Sequence, residues 1–337
     1  MDYVNLGRTG LKVSRLCLGT MMFGSWGEPD HERSIRVIHQ ALDAGINFLD
    51  TANVYSDGES EEIVGKAIRD RRDNVVLATK VWGKMGEDPN RRGLSRKAIQ
   101  QECEASLRRL GTEVIDLYQI HRPDPTTPWE ETLEALDGLV RQGKVRYLGC
   151  SSNHYDDPAN PWGRRLAAWE IVETLGLADR RGWQRWASFQ PPYSLLRRTL
   201  ELEHFPMALH CGVSCIVWSP LEGGWLSGKY RRGATNPGDS PRSRTWVGDL
   251  ENPRFERRLA IVEELLAHCQ ARGKSLSQLA LAWSLNHPAV TSAIIGPRTD
   301  AQLADCLAAA SFDLEAEDLL AAERPRGHLL WATAGER

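Results

Sequence analysis

Val75-Val-Leu-Ala-Thr-Lys80, Ser95-Arg-Lys-Ala-Ile-Gln-Gln-Glu-Cys-Glu-Ala-Ser-Leu-Arg-Arg-Leu110 and Ile115-Asp-Leu-Tyr-Gln-Ile-His121 form a short apolar run, an amphipathic stretch and a second short apolar run. That succession reads as strand, helix, strand. It repeats in both directions. Arg15 to Gly19 and Asn47 to Thr51 are candidate strands before it; Val145 to Cys150, Ala187 to Gln190, Ser214 to Trp218 and Thr291 to Gly296 come after it. The stretches between read as helices over about 31–44, 60–70, 128–142, 164–180, 201–211, 253–272 with 275–286, and 300–310. Strands alternating with helices imply parallel neighbours joined by right-handed crossovers. Eight such units predict a closed (β/α)8 barrel. A hairpin within residues 1–14, Tyr3 to Leu6 and Leu11 to Ser14 around Gly7-Arg-Thr-Gly10, precedes it, and a tail over 311–337 ends the chain. The competing arrangement is an open doubly wound sheet. It expects a Gly-x-Gly-x-x-Gly turn after the first strand, and Leu18-Gly-Thr-Met-Met-Phe-Gly24 does not supply one.

Composition agrees with one barrel domain over residues 1–337. The 337 residues are 41% hydrophobic and 26% charged, an ordinary globular balance that excludes disordered, collagen-like and coiled-coil chains. A net charge of −3 argues against a nucleic-acid binder. No apolar run reaches the roughly 18 residues of a membrane span, so no membrane partner is expected. The seven cysteines are scattered and odd in number, which reads as reduced thiols in a cytoplasmic protein. No cysteine and histidine pairs stand at zinc-site spacing, so no metal is expected. The N-terminus has neither the basic start nor the apolar core of a signal peptide. Two insertions interrupt the pattern: His154-Tyr-Asp-Asp-Pro-Ala-Asn-Pro-Trp-Gly163, and a long loop from Arg231 to Asn252 rich in Gly, Pro, Ser and Arg.

Barrels of this type place their chemistry at the C-terminal ends of the strands. There the sequence offers an acid, a phenol, an amine and an imidazole: Asp50 and Tyr55 after the second strand, Lys80 at the end of the third and His121 at the end of the fourth. A free phenol, with a pKa near 10, is a poor proton donor at neutral pH. An adjacent ammonium favours the phenolate and lowers that pKa. Lys80 can serve Tyr55 in this way, with Asp50 holding Lys80 charged, while His121 orients a substrate carbonyl. Such a tyrosine gives a proton to an oxygen that is gaining negative charge, as reduction of a carbonyl by hydride requires.

Asp50-Thr-Ala-Asn-Val-Tyr55, Lys80 and His121 resemble the tetrad of the aldo-keto reductase superfamily. The opening Leu6-Gly-Arg-Thr-Gly-Leu-Lys-Val-Ser14 resembles the hairpin that closes the bottom of its barrel. The likeness runs from about residue 3 to about 310, through Ala105-Ser-Leu-Arg-Arg-Leu-Gly111, Gln190-Pro-Pro-Tyr193, Trp218-Ser-Pro-Leu221 and Ile295-Gly-Pro-Arg298. Ser227-Gly-Lys-Tyr230 is similar to the bacterial and potassium-channel-β-like branches.

The resemblance implies a nicotinamide cofactor bound without a Rossmann fold. It sets Trp218 against the nicotinamide ring, Ser151 and Gln190 on the carboxamide, and either Ser152 or Asn153 at the second carboxamide contact. Ser219, Pro220, Leu221 and Gly223 would hold the pyrophosphate with Lys229 adding charge, and Glu222 is expected to point to solvent. Gly296, Arg298, Gln302 and Asp305 would form the adenosine site. Arg298 near a helix N-terminus suits a 2′-phosphate, so NADP(H) is preferred and NAD(H) admitted. Thr20 and Arg244 complete the implied cofactor set. Met22, Trp26, Trp82 and Trp225 are the expected substrate pocket.

The reading is thus an NADPH-dependent reductase of a small-molecule aldehyde or ketone, a keto-sugar among the candidates, with Tyr55 as proton donor. Its alternative is a non-catalytic cofactor-binding subunit like the potassium-channel β proteins. A Schiff-base lyase using Lys80 is disfavoured, because pairing with Asp50 keeps the amine protonated.

Overall fold

The computed structural model describes residues 1–152, 165–233, 250 and 252–324. Its centre is a closed barrel of eight parallel strands: β3 (Leu16–Gly19), β4 (Phe48–Asp50), β5 (Val76–Val81), β6 (Ile115–Ile120), β7 (Val145–Ser151), β8 (Trp186–Gln190), β9 (Ser214–Val217) and β10 (Val290–Ile295). β10 pairs with both β9 and β3, which closes the ring. Around it run α1 (His31–Asp43), α2 (Glu59–Ile68), α3 (Arg96–Leu110), α4 (Trp129–Arg141), α5 (Ala168–Arg181), α6 (His204–Cys211), α7 (Glu256–Ala271), α8 (Leu276–Asn286) and α9 (Asp300–Ala308). The (β/α)8 expectation is met, with boundaries shifted by a few residues.

β5 and β6 are buried at every position, because helices cover one face and the barrel interior the other. The helix between them starts where Ser95 caps the amide of Ala98 and stops at Gly111 in a left-handed conformation. The main apolar cluster lies between strands and helices, with Leu77, Ile99, Cys103, Leu107 and Ile120 among its members.

A second cluster fills the barrel bottom. The hairpin of β1 (Tyr3–Asn5) and β2 (Lys12–Ser14) is antiparallel and presses Leu6 and Val13, both fully buried, onto Cys17, Phe48, Val76, Ala78, Leu117, Ala187 and Ile216. Burying side chains of this size stabilises by about 1.5–3 kcal/mol each. The plug leaves chemistry to the opposite end.

The segment read from sequence as a tail contains one more helix, α10 (Ala316–Glu323). It docks on α7 and the start of α8 through Asp318, which is 1% exposed and bound by His268 at 2.9 Å and Lys274 at 2.7 Å. Burial opposes the Asp318 charge, but these partners and the amide of Glu315 outweigh it and lower its pKa to about 2. The insertion at 154–163 and most of the 231–252 loop lie outside the described residues, as do Asn153 and Arg244.

Candidate active site

Asp50 is the last residue of β4 and Lys80 the penultimate residue of β5. The two strands pair in register with Asp50 opposite Ala78, which points both side chains into the top of the barrel. Their exposures are 2% and 0%. A buried ammonium is costly unless its three donors are satisfied. Here all three are: Lys80 forms an ion pair with Asp50, donates to the Thr51 carbonyl at 2.8 Å and donates to the Tyr55 hydroxyl at 3.2 Å. Burial works against the charge on Lys80, but the Asp50 carboxylate and Tyr55 outweigh it and hold the pKa above that of an ordinary lysine.

The second oxygen of Asp50 accepts from Gln119 Nε2 at 3.0 Å and Gln190 Nε2 at 2.8 Å, and Gln190 also donates to Gln119 Oε1 at 3.1 Å. Sequence reasoning missed Gln119. The signal was available: Leu117, Gln119 and His121 alternate along β6, so the amide shares the inward face with the imidazole. Gly149 makes room for it, since a Cβ there would stand 2.9 Å from Gln119 Cγ and 2.6 Å from Ser188 Oγ.

Tyr55 opens a tight turn, Tyr55–Gly58, directly after the Asp50 strand. His121 comes directly after β6, with its amide bonded to the Val81 carbonyl at 2.9 Å. The two rings meet edge to face at 5.6 Å and 83°. Burial, then the charges of Lys80 and Arg122, hold the His121 pKa well below the ordinary histidine value, so the ring is neutral. Its Nδ1 is buried and has no hydrogen-bond partner among the described residues. The sequence-predicted tetrad therefore converges in space.

Of the expected pocket residues, Trp26 stands 6.2 Å from the Tyr55 ring and is 40% exposed. Trp82 lies just past β5 with φ 148 and carries the Arg122 guanidinium 5.1 Å over its ring. Met22 is half-buried in the loop after β3. Trp225 is 3% exposed and packs between Tyr230 and Phe255 at 5.0 and 5.1 Å.

The expected cofactor residues ring the same end. Thr20 is fully buried and bonds Ser60 Oγ at 2.8 Å. Ser151 donates to the Gln190 carbonyl at 2.8 Å, and Ser152 Oγ accepts from the Leu166 amide at 3.0 Å. Trp218, half-buried just past β9, donates its amide to the Pro191 carbonyl at 2.9 Å. Ser219, Pro220 and Leu221 lead into a turn where Ser219, Glu222, Gly223 and Gly224 all have positive φ, between 46° and 99°. Among the described residues nothing lies within 4 Å of where a Gly223 Cβ would be, so the backbone cradle is open at that position, whereas a Gly224 Cβ would stand 2.8 Å from Lys229 Cε. Lys229 lies beside it, its ammonium 5.0 Å over the Tyr230 ring.

Glu222 corrects an expectation. It is 7% exposed instead of solvated, accepting from Arg197 at 2.8 Å and Ser194 at 2.9 Å. The guanidinium neutralises it and removes a negative charge from the cradle.

Gly296 is exposed, and Arg298 sits one residue before the Thr299 cap of α9, its amide bonded to Gln302 Oε1 at 2.8 Å. Asp305 faces α8, accepting from Gln278 at 2.8 Å. Among the described residues no cluster of metal ligands occurs, and no helix is long and apolar enough to cross a membrane.

The family model for the aldo/keto reductase family matches residues 15–324. An uncharacterized oxidoreductase, YrpG of Bacillus subtilis (strain 168), is 41% identical over 95% of this chain and 94% of its own. Versiconal hemiacetal acetate reductase of Aspergillus parasiticus is 37% identical over 96% and 97%. A probable voltage-gated potassium channel subunit beta of Arabidopsis thaliana is 36% identical over 90% and 89%.

Proposed function

The chain belongs to the aldo/keto reductase family, and from that premise we propose that it reduces the carbonyl of an aldehyde or ketone with a nicotinamide cofactor, NADPH in preference to NADH, with Tyr55 giving the proton. The observation that carries the reading is the threefold use of Lys80: carboxylate, backbone carbonyl and phenol share one buried ammonium.

Lys80 donates to the phenol oxygen, so the phenol's own hydrogen is the one directed elsewhere. When that proton leaves, the phenolate forms 3.2 Å from a fully buried positive charge. Such preorganised charge is a large catalytic term. Asp50 fixes Lys80 in place, and Gln119 and Gln190 fix Asp50. Neutral His121 donates to the substrate oxygen, orienting the carbonyl toward Tyr55.

The chain's residues fit a dinucleotide. The positive-φ cradle from Ser219 to Gly224 suits a pyrophosphate, and Arg298 at the start of α9 suits a 2′-phosphate. Trp218, half-buried just past β9, would stack on the nicotinamide. The cofactor, when bound, supplies the hydride.

A panel of carbonyl compounds with NADPH oxidation as readout tests the reading. Turnover of 4-nitrobenzaldehyde is expected. Tight NADPH binding with no turnover of any member would favour the non-catalytic subunit instead.

A further inference from the structure

The loop between β3 and α1, residues 20–30, is built onto the turn that carries Tyr55. Its attachment uses residues the tetrad does not explain. Glu59, the first residue of α2, accepts from the Ser25 amide at 2.7 Å and pairs with His31 at 2.6 Å. Ser56 Oγ accepts from the Trp26 amide at 3.1 Å and donates to the Phe23 carbonyl at 3.2 Å. Gly24 lies at φ +93 directly over both, and a Cβ there would stand 2.6 Å from Glu59 Oε2 and 3.0 Å from Ser56 Cβ.

The turn is unusual in its own right. Ser56 and Asp57 hold left-handed backbone, φ 49 and φ 55, which non-glycine residues adopt only where surroundings impose it. The two staples grip Phe23, Ser25 and Trp26 within one short stretch of backbone. Trp26 is the residue they deliver: 40% exposed, its ring tilted 57° and 6.2 Å from the ring of Tyr55. The hairpin-like bonds Gly24 to Glu28 at 2.9 Å and Glu28 to Met22 at 2.8 Å keep the rest of the loop compact. The backbone that carries this aromatic side chain is thus tied to the turn that carries Tyr55.

We propose that Glu59 is a positioning residue for substrate selection: through Ser25 it holds the backbone of Trp26 against the Tyr55 turn, and the Trp26 ring beside Tyr55 selects carbonyl compounds carrying a planar ring over short aliphatic ones. This rests on the reductase reading. Aromatic faces pair by offset or edge contacts, and backbone that is already tied down has less entropy to give up on binding.

The test is a double-mutant cycle on Glu59→Ala and Trp26→Ala, with 4-nitrobenzaldehyde and propanal as the two substrates. Glu59→Ala is expected to raise KM for 4-nitrobenzaldehyde by about three- to tenfold, the worth of one aromatic contact, with kcat within about twofold of wild type. The ratio of kcat/KM between ring and aliphatic substrates falls by the same factor. In the Trp26→Ala background, Glu59→Ala adds less than about twofold, because the group it acts through is gone. A structural role alone would depress both substrates together and give additive effects. If Glu59→Ala does not fold, Glu59→Leu, which keeps the bulk and removes the acceptor, enters the same cycle. Turnover in the wild type with an unchanged ratio, or an additive cycle, overturns this inference alone. Failure of the wild type to reduce either aldehyde overturns the reductase reading and this inference with it.

Discussion

Replacing Lys80 by Met removes the charge while roughly keeping the volume. Lys80 is 0% exposed and its partner Asp50 is 2% exposed. Without the ammonium, the Asp50 carboxylate keeps Gln119 and Gln190 but loses its ion-pair partner. Breaking one side of a buried pair costs about 3–5 kcal/mol. With an unfolding entropy of about 2.1 cal/mol/K per residue, 337 residues give about 0.7 kcal/mol/K, so the melting temperature should fall by about 4–7 °C. The further change Asp50→Asn removes the orphaned charge and should restore most of that loss. Activity should not return, because the phenol still lacks its cation; the loss expected for disabling a general acid is about 10²–10⁴-fold in kcat. Calorimetry and steady-state kinetics on the two variants are the assay. If Lys80→Met melts within about a degree of wild type, or if the double variant regains rate along with stability, the buried-pair reasoning fails.

Two further outcomes are expected at the same site. Burial, with Lys80 and Arg122, holds the His121 pKa well below the ordinary histidine value, so its titration should leave no inflection in kcat/KM near the ordinary histidine value of 6.5; an inflection there that disappears in His121→Ala would contradict this. Arg298→Ala should weaken NADPH by about 10- to 150-fold, a charge-assisted contact's worth, and NADH far less; fluorescence titration showing equal changes for the two cofactors would refute the 2′-phosphate assignment.

The barrel was legible because its determinants are local. Each strand is a short apolar run, each helix an amphipathic one, and their alternation leaves few topologies. The tetrad was legible because chain direction alone puts Asp50, Lys80 and His121 at one end of a parallel barrel. What escaped depends on partners distant in sequence. Helix α10 falls in the segment read as a tail; its Asp318 is held by His268 and Lys274, more than forty residues away. Glu222, in a turn expected to hold phosphate, likewise reads as exposed, and Arg197 and Ser194, in the connection that follows β8, explain its burial. Ser56 and Glu59 carry no local sign that they reach back to the loop at Ser25 and Trp26.

The central claim is that the Tyr55 hydroxyl is the proton donor, and Tyr55→Phe tests it with one atom. The ring, its edge-to-face contact with His121 and its place beside Trp26 are retained, while the bond from Lys80 is lost. Kinetics with 4-nitrobenzaldehyde and titration with NADPH should show kcat lower by about 10²–10⁴-fold and a cofactor Kd within about twofold of wild type. A variant that keeps near wild-type kcat would contradict the account.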